Sequence, residues 1–296
     1  MAKILNFGSL NIDKVYKVEE FVKPGETIKS SGVFVYAGGK GLNQSLSLAK
    51  AGGNVYHAGA IGVDGTFLKE ALDGAGVNTS LVETVDCVTG HAIIQVNKKG
   101  ENCIILDSGA NGKIEKEYVD YVLKKFNEGD LLVLQNEISE IDYIVDKASE
   151  KGMRVVLNPS PIDENIYKID LNKISYILLN EIEGELLSKK KNYEEILDYF
   201  IEKYPNLNVV LTLGSKGSIY SSSEKRIHQK IYEVDSVDTT AAGDTFTGYF
   251  ISGIAKEKNI EEIMDMSSRA SAICVTREGA SSSIPTVDEV EKYVFS

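Results

Sequence analysis

The sequence is poor in the residues that build disulfide frameworks and zinc sites. It has three cysteines among 296 residues, an odd number without any C-x-x-C spacing. This count argues against a disulfide framework and a structural zinc site, so we expect reduced thiols. The three histidines are scattered and share no metal-ligand spacing. They are interpreted as surface or packing residues.

Positive charge is also scarce. The chain has 32 Lys and Arg against 44 Asp and Glu, which gives a formal net charge of −12. Proteins that bind nucleic acids neutralise phosphates with basic patches, so the composition argues against a nucleic-acid partner. A small anionic ligand remains compatible with the sequence. A helix terminus, a metal ion or one or two local cations can outweigh the global charge nearby.

Long apolar runs are absent. No segment approaches the roughly 18 apolar residues of a membrane span, and the opening "MAKILNFGSL" has no long apolar signal region. We therefore expect a cytoplasmic protein without a membrane partner. The length fits one large domain or two moderate ones, and the sequence contains no internal repeat, low-complexity tract or linker.

Short apolar runs alternate with helical patterns along most of the chain. Strands are predicted at residues 3–9, 55–62, 130–137, 153–160, 174–180 and 207–214. Helices are predicted at 41–53, 65–76, 139–151, 181–189, 193–204, 243–257, 260–276 and 287–295. Such alternation requires crossover connections. It predicts an α/β fold with a mostly parallel sheet that helices cover on both faces.

Two segments depart from this alternation. Residues 11–37 contain no helical pattern and include a predicted strand at 33–37. Residues 90–107 predict a hairpin that turns at 97–100, with apolar side chains on both faces. A hairpin of this kind should bury itself against something. A lid over a site and a contact with a partner subunit would both satisfy it.

A glycine-rich stretch, "GGKG" at 38–41, opens a predicted helix. Its spacing fails the G-x-x-x-x-G-K-[ST] pattern, which excludes a P-loop NTPase. Short polar or charged residues cluster at predicted strand ends, where open α/β sheets bind ligands: Asn11, Asp13, Lys40, Asn43 and Glu137. Mixed donors and acceptors suit a polyhydroxylated ligand. For any one of these residues, a role as a cap or turn residue remains the alternative.

Two further stretches admit both a structural and a functional interpretation. "LTLGSKGSIYS" at 211–221 joins two strands, so it is not a Rossmann fingerprint, and a simple tight hairpin explains it as well as a nucleotide site does. "NEIE" at 180–183 opens a helix. Glu183 there could cap the helix, or it could help Asn180 to position a metal-bound phosphate with most metal ligands supplied by water.

The stretch "DTTAAGDTFTGYF" at 238–250 combines an acid, three very small residues and an apolar rhythm. Phe246, Phe250 and Ile254 recur at every fourth position, so a helix is predicted to begin near Gly243. Its first amides would point outward and form an anion hole. Asp244 could cap this helix, but the small residues before it leave the amides uncovered, which a purely structural helix start would not require.

Taken in order, these motifs resemble the PfkB-type carbohydrate kinases of the ribokinase family. The matching stretches are "GSLNID" (8–13), "GGKGLNQ" (38–44), "SGAN" (108–111), "LNPSP" (157–161), "NEIE" (180–183), "TLGSKG" (212–217), "DTTAAGDTF" (238–246) and "TREGASSSIP" (276–285). The resemblance spans nearly the whole chain. It implies a single domain over residues 1–296, a three-layer α/β/α sandwich with a mostly parallel central sheet, and a small β-sheet lid formed by insertions at about 11–37 and 90–111.

The resemblance also implies an activity, phosphoryl transfer from ATP to a sugar hydroxyl. D-ribose, giving D-ribose 5-phosphate, is the first expected acceptor, and fructose, deoxyribose or a nucleoside are alternatives. A sugar-binding sensor without turnover is an alternative from another class. Asp107-Ser108 and Gln95 depart from the residues common in such kinases. Both positions lie in or next to the lid, so they leave the identity of the sugar open rather than the reaction.

Residue roles follow from the same resemblance. Asp244 would be the catalytic base. The transferring phosphate would be held by the amides of Ala241, Ala242 and Gly243. The sugar would be bound by Asn11, Asp13, Gly39, Lys40, Asn43, Glu137 and Asp244. The ATP site would be lined by Asn180, Thr212, Gly214, Ser215, Lys216, Gly217 and Gly243. Glu183 would support Mg²⁺ through water. An activating K⁺ would lie near Asp238, Thr240, Cys274, Arg277, Gly279 and Ser283, mostly on backbone carbonyls.

Two more expectations complete the sequence analysis. The apolar lid hairpin makes a homodimer through the lid a hypothesis. With a reference pKa of about 3.9, an aspartate is already ionised at neutral pH. We therefore expect Asp244 to need orientation rather than adjustment of its pKa.

Overall fold

The computed structural model describes residues 2–295. Thirteen strands are present in this range: β1 (Ile4–Phe7), β2 (Asn11–Lys17), β3 (Gly32–Gly38), β4 (Val55–Ile61), β5 (Asn78–Thr84), β6 (Gly90–Val96), β7 (Asn102–Asp107), β8 (Leu131–Gln135), β9 (Arg154–Asn158), β10 (Tyr176–Asn180), β11 (Asn208–Thr212), β12 (Ser218–Ser221) and β13 (Arg226–Gln229). The α-helices of the same range are α1 (Lys40–Lys50), α2 (Thr66–Gly74), α3 (Lys116–Leu123), α4 (Ile141–Glu150), α5 (Glu181–Ser188), α6 (Tyr193–Lys203), α7 (Ala242–Ala255), α8 (Ile260–Val275) and α9 (Val287–Lys292).

Nine strands form the central sheet, in the order β13-β12-β11-β10-β9-β8-β1-β4-β5. The seven strands from β11 to β5 in this order are parallel, and at the other edge β12 pairs antiparallel with both β11 and β13. The alternation of strands and helices in the sequence explains this arrangement, because parallel neighbours need crossover connections. The predicted strands and helices are all present, with ends that differ by a few residues.

Two hydrophobic cores lie on opposite faces of the central sheet. Leu5 and Phe7 of β1 point into one core, together with apolar residues of α3, α4 and α6. Ile4 of the same strand points into the other core, with residues of α1, α2, α7 and α8. Because successive side chains of a strand point to opposite faces, one strand contributes to both cores. The predicted three-layer α/β/α sandwich is confirmed.

The strands β3, β2, β6 and β7 form a separate four-stranded sheet, here called the small sheet, in that order. Its hairpin β6–β7 pairs His91 with Asp107 and Val96 with Asn102, as predicted from the sequence. Strand β2 pairs parallel with β6 and antiparallel with β3. The two segments that departed from the α/β alternation therefore come together in one sheet.

Glycines bring the start of α1 against the end of β1. A Cβ on Gly8 would lie 2.7 Å from the Cα of Gly41, and a Cβ on Gly41 would lie 2.3 Å from the backbone nitrogen of Ser9. Real Cβ atoms do not approach other atoms this closely, so both positions require glycine. Gly41 in "GGKG" therefore has a structural reason to be glycine. Within residues 2–295, every helix is too short or too polar to cross a membrane.

Candidate active site

The N-terminus of α7 presents free backbone amides. Ala241 precedes the helix in a left-handed conformation, with φ of 61°, and its carbonyl accepts a hydrogen bond from the amide of Thr245 at 2.8 Å. The amide of Ala242 donates to the carbonyl of Thr239 at 3.2 Å, so it is partly engaged in this turn. The amides of Ala241, Gly243 and Asp244 have no protein acceptor within residues 2–295. Helix N-termini of this kind attract anions.

The side chain of Asp244 does not cap α7, which removes the structural alternative for this residue. Its Oδ1 accepts a hydrogen bond from Nε2 of Gln44 at 2.9 Å, and its Oδ2 accepts one from Nδ2 of Asn43 at 3.4 Å. Burial raises the pKa of Asp244, while Lys40, Gln44 and Asn43 offset part of this shift. Because the protein encloses the carboxyl group, the pKa of Asp244 lies above the reference value assumed from the sequence.

Lys40 lies among several carboxylates. Its backbone amide donates to Oε2 of Glu137 at 3.0 Å, and the hydroxyl of Ser9 donates to the same oxygen. Burial alone would lower the pKa of Lys40, but Asp244, Glu137 and Glu183 together raise it. Burial also raises the pKa of Glu137, although the bonds from Ser9 and Lys40 oppose this. A charged ammonium group thus stands beside the candidate base.

The small sheet contributes the remaining predicted sugar ligands. Asn11 is buried at the start of β2, and its Oδ1 accepts a hydrogen bond from Nδ2 of Asn111 at 2.7 Å. The carboxylate of Asp13 lies over Gly38, where an added Cβ would be 2.0 Å from Oδ2. Burial, and then the charge of Glu137, raise the pKa of Asp13 to about 6. Gly39 links β3 to α1 with φ of 95°, a conformation that favours glycine.

Two cavities meet at the start of α7. The smaller, of about 160 Å³, is lined by Lys40, Asn158, Ser160, Leu178, Leu179, Asn180, Glu183, Thr212, Ala241, Gly243, Asp244 and Thr247. The larger, of about 630 Å³, is lined by predicted ATP-site residues, namely Thr212, Gly214, Ser215, Gly217 and Gly243. Thr212 and Gly243 line both cavities, so the two spaces adjoin at the helix start.

The structure adds residues to the large cavity that the sequence analysis missed. They come from the stretch after β13 and from α8: Ile231, Tyr232, Glu233, Val234, Ser236, Ser268, Ser271, Ala272 and Val275. No motif marks these positions. The small residues on one face of α8 are the only signal that could have indicated them. Lys216, in contrast, lines neither cavity, and its Nζ lies 3.4 Å from a carboxylate oxygen of Glu181.

Gly217 has a structural reason to be glycine. Its φ is 97°, and a Cβ there would lie 2.1 Å from the carbonyl oxygen of Gln229. The tight turn between β11 and β12 therefore explains this residue, while its neighbours still line the large cavity.

The residues at the small cavity fit a hydrated divalent cation. Asn180 and Glu183 form a reciprocal cap of α5, in which Oε2 of Glu183 accepts from the amide of Asn180 at 2.9 Å. The capping interpretation therefore holds, and the same carboxylate also lines the cavity. Within the described chain, no group of three His, Cys, Asp or Glu side chains is placed to hold a metal. A single carboxylate suits Mg²⁺, which keeps several of its water ligands.

Of the six residues predicted around K⁺, five lie on two loops that the structure brings together, and Cys274 lies in the last turn of α8. Oδ1 of Asp238 accepts from the amide of Thr240 at 2.9 Å, and its Oδ2 accepts from the amide of Gly279 at 3.0 Å. Sγ of Cys274 lies 3.1 Å from the hydroxyl of Ser283.

These loops offer oxygen ligands from backbone and side chains. The guanidinium of Arg277 donates to Oε1 of Glu289 at 2.8 Å. Arg277 can therefore offer a cation only its backbone carbonyl oxygen. Burial alone would raise the pKa of Asp238, but hydrogen bonds from Thr240 and Gly279 lower it, which keeps a negative charge here. The donor set fits a hard monovalent cation.

Comparisons with known proteins identify the family of this chain. Residues 1–287 match the pfkB family of carbohydrate kinases. The ribokinase of Haemophilus influenzae is 36% identical over 301 residues, covering 97% of this chain and 96% of that protein. Two solved ribokinases superpose with a TM-score of 0.88: that of Cryptococcus neoformans in complex with ADP (32% identity, 99% and 100% coverage of this and that chain), and that of Arabidopsis thaliana with ribose and ATP (30% identity, 99% coverage of both). This chain belongs to the pfkB family of carbohydrate kinases.

Proposed function

We propose that this protein is an ATP-dependent sugar kinase that converts D-ribose to D-ribose 5-phosphate. The observation that carries the proposal is the buried Asp244 at the uncapped start of α7, where two cavities meet. One cavity is large enough for a nucleotide, and the other is lined by Lys40 and Asp244, beside which lie further polar groups that suit a sugar. The ribokinases to which the chain is similar, one of them solved with ribose and ATP, support the choice of substrates.

In the proposed reaction, the ribose 5-hydroxyl attacks the γ-phosphorus of ATP. Asp244 accepts the hydroxyl proton as the new O–P bond forms, and ADP leaves with the electrons of the broken P–O bond. The free amides of α7 and the ammonium of Lys40 face the charge that develops on the transferred group. A loose phosphoryl-transfer transition state needs positioning and charge neutralisation more than covalent help.

Mg²⁺ bound with ATP would neutralise phosphate charge, with Glu183 and Asn180 placed to hold its water ligands. We also propose that K⁺ binds between the loops that carry Asp238 and Ser283. This site lies directly before α7, since Asp238 is hydrogen-bonded to Thr240 of the turn that leads into the helix. Occupation by a cation would therefore stiffen the turn that aims the α7 amides.

Sugar recognition is assigned to polar groups that lie next to Lys40 and Asp244, the two residues of this set that line the small cavity. Carboxylates accept hydrogen bonds from hydroxyls, so Asp13 and Glu137 suit the hydroxyls of a sugar, while Asn11 and Asn43 offer donors as well. Because Asp13 and Asn11 belong to the small sheet and Glu137 to the sandwich, a bound sugar would tie the two together. The small sheet would act as a lid that excludes water, which otherwise competes as a phosphoryl acceptor.

The test is ADP release with ATP across a panel of ribose, deoxyribose, fructose, adenosine and no sugar. Runs without Mg²⁺, and with Na⁺ in place of K⁺, complete it. We expect ribose to give the highest kcat/KM, with activity lost without Mg²⁺ and reduced without K⁺. Preference for another acceptor would correct the substrate but keep the reaction. Sugar binding by calorimetry without any ADP release would replace the kinase by a sugar sensor.

We further propose that two chains associate through the small sheet. Its strand β7 exposes Ile104, Ile105 and Leu106 in succession, 50–61% each, so both faces of the strand are apolar and open. Contiguous exposed apolar surface of this kind marks interaction sites. A second copy of the same sheet would cover it.

Ile105→Asp is expected to convert the dimer into a monomer, because a charge would be buried in the interface. Light scattering at working concentration measures the mass. Val63→Asp is the matched control, since Val63 is 81% exposed but lies outside the small sheet, and it should remain dimeric. A monomeric wild-type protein at this concentration would contradict the proposal.

Asp13→Asn is expected to stabilise the sugar-free protein above pH 6 and to leave it unchanged near pH 4. The folded state raises the pKa of Asp13 from 3.8 to about 6, so it binds this proton more tightly than the unfolded chain does. The free energy of unfolding therefore falls as the pH rises from 3.8 to about 6, by up to about 3 kcal/mol in total, and the loss is complete above this range. Thermal unfolding at pH 4, 6 and 8 measures the effect.

Asp170→Asn serves as a control of opposite sign. Hydrogen bonds from Asn172 lower the pKa of Asp170, so removal of its charge should destabilise at neutral pH and matter less in acid. An Asp13→Asn variant that is less stable than wild type at pH 8 would contradict the account. In the kinase assay, the same variant should show a raised KM for ribose.

A further inference from the structure

A row of buried polar side chains runs from Asp244 into the centre of the sheet. Nε2 of Gln44 donates to Asp244 at 2.9 Å, and Oε1 of Gln44 accepts from Nε2 of Gln135 at 2.6 Å. Nε2 of Gln135 also donates to Oδ1 of Asn6 at 3.0 Å. Gln44, Gln135 and Asn6 are completely buried. Most buried polar groups are hydrogen-bonded, and in this row only Oε1 of Gln135 has no partner within residues 2–295.

The row continues past Asn6 to a histidine. Nδ2 of Asn6 donates to Oγ of Ser45 at 2.8 Å, and Ser45 lies 2.8 Å from Nδ1 of His57. Nε2 of His57 lies 3.2 Å from the carbonyl of Gly8, which can only accept, so this nitrogen carries the proton. Burial lowers the pKa of His57 to about 4. The ring is therefore neutral, and its Nδ1 accepts a hydrogen bond from the hydroxyl of Ser45.

Every hydrogen bond in this row has only one possible direction. The carboxylate of Asp244 accepts, so the amide nitrogen of Gln44 must face it and the amide oxygen must face Gln135. Gln135 must then present its nitrogen to Gln44, and it presents the same nitrogen to Asn6. A rotated amide at either glutamine would set oxygen against oxygen. The row therefore holds Gln44 in the one orientation that donates to the base.

We propose that Gln44, oriented by Gln135, is a positioning residue that fixes the Asp244 carboxylate for attack by the sugar hydroxyl. Gln44 is completely buried, and its amide is engaged by Asp244 and Gln135, so it acts through Asp244 and not through a substrate. The same row holds the start of α1, because Nδ2 of Asn6 also donates to the carbonyl of Gly41 at 2.7 Å. The base and the helix that carries Lys40 and Asn43 thus share one rigid support. The inference rests on the proposed kinase function.

The experiment compares Gln44→Met, Gln135→Met and the double variant with wild type. Methionine keeps the shape of glutamine without its donors. For Gln44→Met we expect kcat to fall about 10- to 100-fold, as for loss of one hydrogen bond to a charged group. The KM for ribose should stay within about threefold, because Gln44 touches no ligand. Gln135→Met should lower kcat about tenfold, because Gln44 is then free to rotate its amide.

Two readouts separate positioning from a structural role. Loss of a donor to the carboxylate raises the pKa of Asp244, so the acidic limb of the kcat profile should move to higher pH by about one unit in Gln44→Met. Lys40 and Glu137, the charged groups that face Asp244, are unchanged in these variants. In the double variant no unpaired amide remains between positions 44 and 135, so thermal stability should recover in part. Its kcat should stay as low as that of Gln44→Met.

The outcomes distinguish this inference from the proposed function. A wild-type protein without sugar-dependent ADP release refutes the kinase proposal itself. An active wild type with Gln44→Met at full kcat and an unmoved acidic limb refutes only the positioning role. Recovery of kcat together with stability in the double variant would show that Gln44 is structural. If Gln44→Met does not fold, Gln135→Met decides, and unchanged kcat there overturns the proposal.

Discussion

Asp244→Asn is expected to abolish sugar phosphorylation while leaving the protein folded. Asparagine has the shape of aspartate but cannot accept the hydroxyl proton, and a general base contributes about 10²- to 10⁴-fold to a rate. We therefore expect kcat for ribose to fall about 10³-fold, with a much smaller change in the KM for ATP. Steady-state ADP release measures both quantities. If the variant keeps the wild-type kcat, Asp244 is not the base.

The stability of the same variant is an independent check. Burial raises the pKa of Asp244, so the folded state is penalised for carrying the charge at neutral and alkaline pH. Asparagine removes this penalty, and the benefit disappears in acid, where the aspartate is protonated in both states. The unfolding temperature at pH 8 should therefore be no lower than that of wild type. A strongly destabilised Asp244→Asn protein would indicate that the carboxylate holds the fold together.

The layers of the fold were predictable because their signals are local. The apolar period of α7 places Phe246 and Phe250 on the face that packs on the sheet, and both are buried there. Strand β2 was not predicted, because "NIDKVYK" carries charges and gains its pairing from β3 and β6, which are distant in sequence. Helix α3 was missed although Val119, Val122 and Leu123 carry its spacing, so this signal was available.

The chemistry of the site was less predictable than its residues. Motif order brought Asp244, Lys40 and Glu137 into one hypothesis, but the pKa of Asp244 depends on enclosure by α1, some 200 positions away in sequence. Gln44 carries no individual signal in "GGKGLNQ". Its role depends on Gln135, the last residue of β8, a strand that pairs with β1 and lies 91 positions away in sequence. Hydrogen-bond direction is a property of the assembled core, and sequence periodicity does not contain it.

Gly243→Ala is expected to stabilise the protein and to disable it. Gly243 is the second residue of α7, and a Cβ there meets no heavy atom within 4 Å, so alanine fits without a clash. In a helix alanine is more favourable than glycine by up to about 1 kcal/mol, so the unfolding temperature should rise. The fold therefore offers no reason for glycine at this position.

The two cavities give a reason for glycine at position 243. A helical Cβ points toward the N-terminus of its helix, so the added methyl would enter the space where both cavities meet and the free amides point. It would hold the transferred phosphate away from those amides, and loss of one such donor costs about 10²- to 10³-fold in kcat. We expect a kcat loss of about 10²-fold and a raised KM for ATP, measured by ADP release with ribose.

Gly74→Ala is the matched control for this prediction. As at Gly243, a Cβ added to Gly74 would meet no heavy atom within 4 Å. Gly74 is the last residue of α2 and lines neither cavity. It should gain stability and keep wild-type kinetics. If Gly243→Ala behaves like Gly74→Ala, the start of α7 does not hold the phosphate. If only Gly243→Ala loses activity while gaining stability, then glycine at position 243 keeps the amides at the start of α7 open to an anion, and it lowers the stability of the fold.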